Sequence, residues 1–302
     1  MIRNKSMKKK SSFVALMTTL CVLFSVSKAM AAEAPIDVTV SIAPQKYFVK
    51  EIGGNNVDVN VMVPAGAEPD DYEPTPNQVV LLNKSKLYFS IGVPFEKSWL
   101  NKFKSSAKDL TIVDTQKGIE RMPMAYNDDG ERIPATSGIK DPHIWLSPAL
   151  VRIQAMNIRD ALIKVDPQHQ QEYRENYLKF SKKINQIDDA LIAITAKIPA
   201  AHNQFMTYHP AWGYFATDYG LRQLPIQDEG KEASAQRLKS LIDTAKKQHI
   251  KVIFIEPQFS KEQAKVIANA IGGKVVAINP LAEDWGNNLL TVANAFESNV
   301  NH

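Results

Sequence analysis

The chain has a single cysteine, and its position bears on whether the mature protein can form disulfides or thiolate metal sites. Cys21 is the only cysteine among 302 residues, and it falls inside an apolar run at 13–26. Basic residues precede that run and the A-x-A sequence Ala29-Met30-Ala31 follows it, which is typical of a secretory signal peptide cleaved after Ala31. We therefore expect residues 1–31 to be removed, and the mature chain to contain neither a disulfide nor a thiolate metal site.

Long apolar runs and a basic excess are also missing from the expected mature chain. The run at 13–26 is too short to span a bilayer, and no second run is longer. Removing residues 1–31 takes away six of the 36 lysines and arginines and none of the 32 acidic residues, so the net charge changes from +4 to −2. A chain with that charge has no basic excess for nucleic acid or an anionic membrane, and we expect no nucleic-acid partner.

Three common motifs of enzymes and nucleotide-binding proteins are absent as well. The sequence contains no G-x-S-x-G nucleophile elbow, no glycine-rich phosphate loop and no H-E-x-x-H zinc helix. The paired glycines at 53–54 and 272–273 fall at the ends of helical patterns, where glycine commonly stops a helix. The sequence therefore favours a protein that is not an enzyme.

The sequence does contain an alternation of strand-like and helix-like segments, and this alternation occurs twice. The strand-like runs are 37–42, 57–63, 87–92 and 111–115 in the first half, and 205–209, 222–227, 251–257 and 274–280 in the second. Helical patterns lie between them. Such a rhythm predicts an α/β fold of two lobes, each with a mostly parallel four-stranded sheet and flanking helices. The polar segment 117–142 predicts a long loop.

One long linker helix is predicted between the two lobes. Apolar residues recur at spacings of four and three from about Pro167 to Ile198, which at 1.5 Å per residue gives a helix roughly 48 Å long. The repeating residues are Tyr173, Tyr177, Phe180, Ile184, Ile187, Leu191, Ile194 and Ile198. A coiled coil with a partner would show the same stripe, but the flanking charges are irregular, so we expect packing within the protein. The predicted divisions are an N-terminal lobe at 32–146, a helical segment at 147–198 and a C-terminal lobe at 199–302.

Polar side chains follow several of the predicted strands. Ligands of open α/β sheets bind beyond the carboxyl ends of the strands, which is where Asp70, His209, Glu256 and Asn279 fall. His143 lies in a proline-framed turn just before a helix. Two imidazoles and a carboxylate from three separate loops predict a site for one divalent metal ion. Each histidine, taken alone, is equally consistent with a buried, hydrogen-bonded residue.

Neighbouring residues are candidates for a supporting role. Asp71 and Glu73 share the acidic loop "GAEPDDYEPTP" at 66–76. They either brace the site or cap the helix that follows. Trp145 would form an apolar wall beside the metal, while Glu256 either supports the site or accepts hydrogen bonds from backbone amides.

Six short motifs occur in an order that resembles a known family. They are "GAEPDDYEPTP", "DPHIWLSP", "YHPAWGYFA", "EGKEAS", "EPQFS" and "NPLAEDW". Together they resemble the zinc/manganese-type solute-binding proteins of bacterial ABC importers (cluster A-I), in which a rigid long helix joins two lobes. The resemblance covers essentially all of the mature chain. It implies a periplasmic protein that captures a divalent transition metal and delivers it to an ABC permease of the inner membrane with its ATPase.

The resemblance also implies a set of metal ligands, from which this sequence departs at two of four positions. Sites of the family commonly use three histidines and one aspartate. His143 and His209 match two of the histidine positions, whereas Asp70 replaces the third histidine and Asn279 replaces the aspartate. The family's zinc-type members also have a histidine-rich loop, which 117–142 lacks. The resulting donors predict zinc as the cargo, with manganese and iron as alternatives.

Two other functions stay open at this point. After loss of the usual ligands, the same scaffold would suit a metal chelate or a small non-metal solute. A metal-dependent hydrolase is less favoured: an open coordination position can activate water, but no general base is evident beside the histidines. We expect the protein to act as a monomer.

Overall fold

The structure is a computed structural model that describes residues 34–127, 130–134, 138–228 and 231–300, together with Met1. Apart from Met1, the signal peptide expected at 1–31 lies outside the described residues. Within the described ranges, no helix combines the length and the apolar character needed to cross a membrane.

The first sheet contains four parallel strands, as the sequence predicted. They are β1 (Ile36–Val40), β2 (Val57–Val61), β3 (Leu87–Ser90) and β4 (Thr111–Asp114), in the spatial order β2-β1-β3-β4. The helices that follow the first three strands are α1 (Ala43–Gly53), α2 (Pro76–Leu82) and α3 (Phe95–Ser106). All four residues of β3 are buried, as expected for a central strand covered by helices on both faces.

The second sheet repeats this arrangement in the C-terminal half. Its strands are β7 (Gln204–Thr207), β8 (Arg222–Pro225), β9 (Val252–Ile255) and β10 (Lys274–Ala277), in the order β10-β9-β7-β8 and all parallel. Its helices are α6 (Gly213–Asp218), α7 (Ala235–Lys247), α8 (Glu262–Ile271) and α9 (Trp285–Val300). The prediction of two parallel four-stranded sheets with flanking helices is confirmed.

Both sheets have the same chain topology, and this fixes where a ligand can bind. In each sheet the second strand lies on one side of the first, while the third and fourth lie on the other. The loops after the first and third strands therefore leave in opposite directions and open a crevice between them. In the second sheet these are the loops after β7 and β9.

Two helices connect the sheets. They are α4 (Pro148–Val165) and α5 (Gln170–Thr195). Ser147 caps α4 through its side chain and Pro148 occupies the first turn, which gives the helix a defined start.

The long helix exists but is shorter than predicted. α5 has 26 residues, about 39 Å at 1.5 Å per residue, because Pro167–His169 form a separate 3₁₀ turn and the helix ends at Thr195. Its apolar stripe packs against the protein's own α1, α4 and α9. The divisions predicted near 146 and 198 stay predictions.

The segment 117–142 is not the plain loop that the sequence predicted. It contains an antiparallel pair of two-residue strands, β5 (Ala125–Tyr126) and β6 (Arg132–Ile133). Strands of two residues are too short to produce an alternating pattern, so sequence periodicity does not reveal them. We call its described residues 123–127 and 130–133 the hairpin.

Candidate metal centre

Three loops bring the two predicted histidines and Asp70 to one place. His209 follows β7 directly, Asp70 lies between β2 and α2, and His143 precedes a 3₁₀ turn at Ile144–Leu146. All three side chains line the same small cavity. The sequence-based prediction placed these residues on separate loops, and the structure brings them together.

The two imidazoles face each other through their Nε2 atoms. His143 Nε2 lies 3.2 Å from His209 Nε2. His143 Nδ1 lies 2.7 Å from Oδ1 of Asp141, and His209 Nδ1 lies 2.7 Å from Oε1 of Gln227. Since both partners are hydrogen-bond acceptors, each Nδ1 donates, and an imidazole in its neutral form then carries its lone pair on Nε2.

Two lone pairs do not face each other at this separation without a positive charge between them, either a proton shared in an N–H···N hydrogen bond or a metal ion. The two nitrogens of a tetrahedral zinc site, each about 2.05 Å from the metal, lie about 3.3 Å apart. The observed 3.2 Å between the Nε2 atoms agrees with that spacing. The geometry of the imidazole pair therefore fits a metal ion of zinc's size.

Two acidic side chains lie close to His209. One ligand atom each from Glu68, Asp70 and His209 lies within 4.8 Å of the other two. One carboxylate oxygen of Glu68, Oε2, is buried and has no hydrogen-bond partner among the described residues. A buried carboxylate oxygen without a donor is costly unless it binds a cation.

The surroundings shift the pKa of several groups at the site. Burial, and then the charge of Asp70, raise the pKa of Glu68 to about 8. Burial also raises the pKa of Asp70. Burial, and then the neighbouring His143 ring, lower the pKa of His209 to about 3, so this imidazole is neutral and able to bind metal across the physiological pH range.

Asp141 has the opposite shift, and this explains its role. Burial acts to raise its pKa, but hydrogen bonding to His143 and the nearby charge of Arg132 outweigh burial and lower it. Asp141 is therefore an ionised, fully buried carboxylate that accepts a hydrogen bond from a candidate metal ligand. Such carboxylates fix the orientation of a metal-binding imidazole and raise its basicity.

Glu256 lies directly behind His209. It follows β9 on the other side of the crevice, is fully buried, and its Oε2 accepts a hydrogen bond from the His209 backbone N–H at 3.3 Å. Burial, and to a smaller extent the charge of Glu68, raise its pKa to about 8. This placement is consistent with the predicted supporting role.

Two aromatic rings lie against the histidines, and one of them, Trp145, also lines the cavity. The ring of Trp145 is centred 5.1 Å from that of His143, and Phe259 stacks on His209 at the same distance. The Trp145 Nε1–H donates to the carbonyl oxygen of Pro280 at 2.7 Å, which ties the turn after His143 to the loop after β10. An apolar wall of this kind limits access of water to the ligands.

Three predicted residues lie outside this group. Asp71 and Glu73 are exposed, and Thr75 with Gln78, rather than either acid, forms the capping box of α2. The Oδ1 atom of Asn279 accepts a hydrogen bond from the Leu281 N–H at 2.9 Å, so it stabilises a turn. Whether Asn279 also binds the metal stays a proposal.

The size of the cavity restricts what it can hold. Its volume is about 10 Å³, which is about the minimum for a single water-sized guest. A bare ion fits this space, whereas a chelate or an organic solute does not fit without rearrangement of the walls.

Sequence reasoning missed three residues of the site. Glu68 stands in the quoted acidic loop, and its acidic side chain two positions before Asp70 was the available signal. Asp141 is the first residue of the quoted motif "DPHIWLSP". Gln227 carries no sequence signal, since it reaches His209 only because β8 and β7 are neighbours in the sheet.

Comparison with known proteins identifies the family. Residues 38–301 match the family described as "Zinc-uptake complex component A periplasmic". The high-affinity zinc uptake system protein ZnuA of Bacillus subtilis (strain 168) is 32% identical over 253 residues, which is 82% of this chain and 78% of that protein. The iron-binding protein YfeA of Yersinia pestis is 31% identical over 245 residues, 79% of this chain and 76% of that protein.

A solved structure supports the same assignment. The crystal structure of ZnuA superposes with a TM-score of 0.82 at 39% identity, covering 88% of this chain and 99% of that one. The fold and the sequence match therefore agree. The chain belongs to the ZnuA family of periplasmic zinc-uptake components.

Proposed function

We propose that this protein is a periplasmic solute-binding protein that captures a divalent transition metal, zinc first, and delivers it to an ABC permease with its ATPase. The role is binding and transport, not catalysis. Family membership supports the class of function. The relatives named above are described as binding zinc or iron, which supports this choice of cargo.

One observation carries the proposal for this chain. The Nε2 atoms of His143 and His209 lie 3.2 Å apart while both Nδ1 atoms are held by acceptors. Two histidine rings can also meet at this distance through one N–H···N hydrogen bond. The carboxylates of Glu68 and Asp70 line the same cavity, and this combination of imidazoles and carboxylates favours a metal ion between the rings.

We propose His143, His209 and Asp70 as metal ligands and Glu68 as the fourth. The side chain of Asn279 already accepts a hydrogen bond from a backbone amide, whereas Glu68 offers a buried oxygen without a partner among the described residues. Two imidazoles and two carboxylates give a donor set of charge −2, which balances a divalent cation. Such a mixed nitrogen and oxygen set suits zinc and also accommodates iron or manganese.

The cavity argues against the other candidates. At about 10 Å³ it is too small for a metal chelate or an organic cation. A hydrolase would need room for a substrate next to the metal, and the same volume does not provide it.

Zinc titration of apo protein, in competition with a chromophoric chelator, tests the proposal. We expect His143→Ala and His209→Ala each to weaken zinc binding by at least tenfold, because each removes a ligand. His202→Ala is a matched control, since His202 is exposed and precedes β7, at the end of that strand opposite to His209. Unchanged zinc affinity in both ligand variants would refute the proposal.

A further inference from the structure

A residue of the hairpin contacts the carboxylate that holds His143. The Nη2 atom of Arg132, on β6, lies 2.7 Å from Oδ2 of Asp141. The other oxygen of Asp141 accepts hydrogen bonds from the Nδ1 and the backbone N–H of His143, at 2.7 and 3.0 Å. Asp141 therefore joins a guanidinium of the hairpin to an imidazole of the metal centre.

Arg132 is fixed in this position by several contacts. Its Nη1 donates to the carbonyl oxygen of Pro123. The guanidinium carbon lies 5.0 Å from the ring centre of Tyr126 and 5.4 Å from that of Tyr214, within the range of cation–π attraction. The hydroxyl of Tyr214 also donates to the carbonyl oxygen of Asp141 at 3.1 Å. The side chain of Arg132 is only 15% exposed, so these contacts replace most of its water.

The packing around the guanidinium leaves no room for a side chain at Gly213. A Cβ atom there would lie 2.0 Å from the hydroxyl oxygen of Tyr126 and 2.1 Å from Nη2 of Arg132. Gly213 begins α6, shortly after His209. The hairpin therefore packs against the same segment that supplies the second imidazole.

We propose that Arg132 is a positioning residue for metal capture. It pairs with Asp141, and Asp141 in turn holds His143 with its Nε2 lone pair directed at the metal. The inference rests on the proposed function, because it concerns the same site. Asp141 is fully buried, and without Arg132 one of its oxygens would lose its partner, so the carboxylate could turn away from the imidazole. Carboxylates behind a metal-binding histidine typically change metal affinity by about 10–100-fold when altered.

The first test replaces Arg132 and measures zinc affinity and release. We expect Arg132→Gln to weaken zinc binding by about 10–100-fold and to speed release in stopped-flow transfer to a chelator. Arg132→Lys keeps a cation beside Asp141 and should recover part of the loss. Arg152→Gln is the matched control, since it breaks another Arg–Asp pair, with Asp188 at 3.0 Å on α4 and α5, away from the metal. We expect this control to leave zinc affinity unchanged, because Arg152 hydrogen-bonds to Asn185 and Asp188 and to none of the proposed ligands.

A double-mutant cycle separates positioning from a purely structural role. If Arg132 acts through Asp141, Arg132→Gln combined with Asp141→Asn binds zinc no more weakly than Asp141→Asn alone. The inference would be overturned if the losses of zinc affinity from the two substitutions multiplied in the double variant, or if Arg132→Gln bound zinc as tightly as the unaltered protein. Should Arg132→Gln fail to fold by circular dichroism, Arg132→Lys takes its place in the cycle under the same criterion. If His143→Ala binds zinc normally, the proposed function itself fails instead.

Discussion

At the scale of single residues, the two candidate ligand histidines combine a held Nδ1 atom with a second imidazole opposite Nε2. Asp141 and Gln227 lie at the Nδ1 atoms, so both Nε2 atoms face the proposed metal position. His169 also pairs with a carboxylate, that of Asp166, but it is partly exposed before α5, and the structure describes no second imidazole opposite it. The convergence of two imidazoles, rather than the presence of histidine, distinguishes the candidate metal centre.

The pKa shifts predict how metal binding depends on pH. Because the pKa of Glu68 is raised to about 8, this carboxyl is mostly protonated in apo protein at pH 7 and must lose its proton to bind a cation. Affinity should therefore rise with pH up to about 8, by as much as tenfold per unit, and then level off. The lowered pKa of His209, about 3, means that this imidazole does not compete with protons in that range.

Calorimetry of zinc binding at pH 7 in two buffers of different ionisation enthalpy measures the protons released. We expect a net release close to one, and a much smaller release from Glu68→Gln. No proton release from the unaltered protein would contradict the assignment of Glu68 as a ligand.

A second prediction at this scale identifies the fourth ligand. Glu68→Ala should weaken zinc binding by at least about tenfold, as loss of a charged ligand does. Asn279→Asp should change it by less than about threefold, because its oxygen already accepts the Leu281 N–H and the substitution keeps that acceptor. Competition titrations measure the zinc affinity of both variants. A large gain in affinity from Asn279→Asp, with no loss from Glu68→Ala, would make residue 279 rather than Glu68 the fourth ligand.

At the scale of elements, α5 holds helices of both sheets together. Phe180 lies on its buried face, with its ring 5.9 Å from those of Tyr47 and Phe48 on α1 and 6.5 Å from Trp285 on α9. The sequence stripe predicted that this face packs within the protein, and the contacts confirm it. The helix therefore contributes to a core shared by both halves, rather than to a surface for a partner helix.

Truncation of Phe180 tests this role of α5. We expect Phe180→Ala to lower the free energy of unfolding by about 3–5 kcal/mol, the cost of removing a fully buried phenylalanine. Leu178→Ala on the same helix is the control, since Leu178 is 65% exposed and should change stability by less than about 0.5 kcal/mol. Chemical denaturation of both variants measures the difference; equal effects would show that α5 is not part of the shared core.

At the scale of the whole molecule, metal binding should stabilise the fold, because the ligands come from both halves of the chain. Asp70 and Glu68 follow β2 in the first sheet, while His209 follows β7 in the second. An ion bound by both groups favours the folded state over the unfolded state, in which the ligands are far apart.

Thermal unfolding with and without metal checks this expectation. Zinc at 100 times its dissociation constant should add about 2.7 kcal/mol, which corresponds to a rise in Tm of several degrees at this size. We expect smaller shifts with manganese and iron, and none in a His143→Ala/His209→Ala double variant. A shift that persists in the double variant would place the metal elsewhere on the protein.

The sequence by itself determined the two parallel sheets, the long helix and the two histidines. These follow from local patterns: alternating strand and helix segments, an apolar repeat every three or four residues, and polar residues just after strands. The resemblance of the ordered motifs to the metal-binding family drew on the same residues and agreed with the family match.

Only the tertiary structure decided how the site is completed. Glu68 rather than Asp71 or Glu73 reaches the cavity because the loop after β2 folds so that one acid turns inward and the others face solvent. Gln227 reaches His209 because β8 lies beside β7, and Asp141 reaches His143 within one loop. Arg132 reaches Asp141 from the hairpin, whose strands are too short to produce a periodic pattern in the sequence. Such contacts depend on how distant segments pack against each other, and no local pattern of residues encodes that.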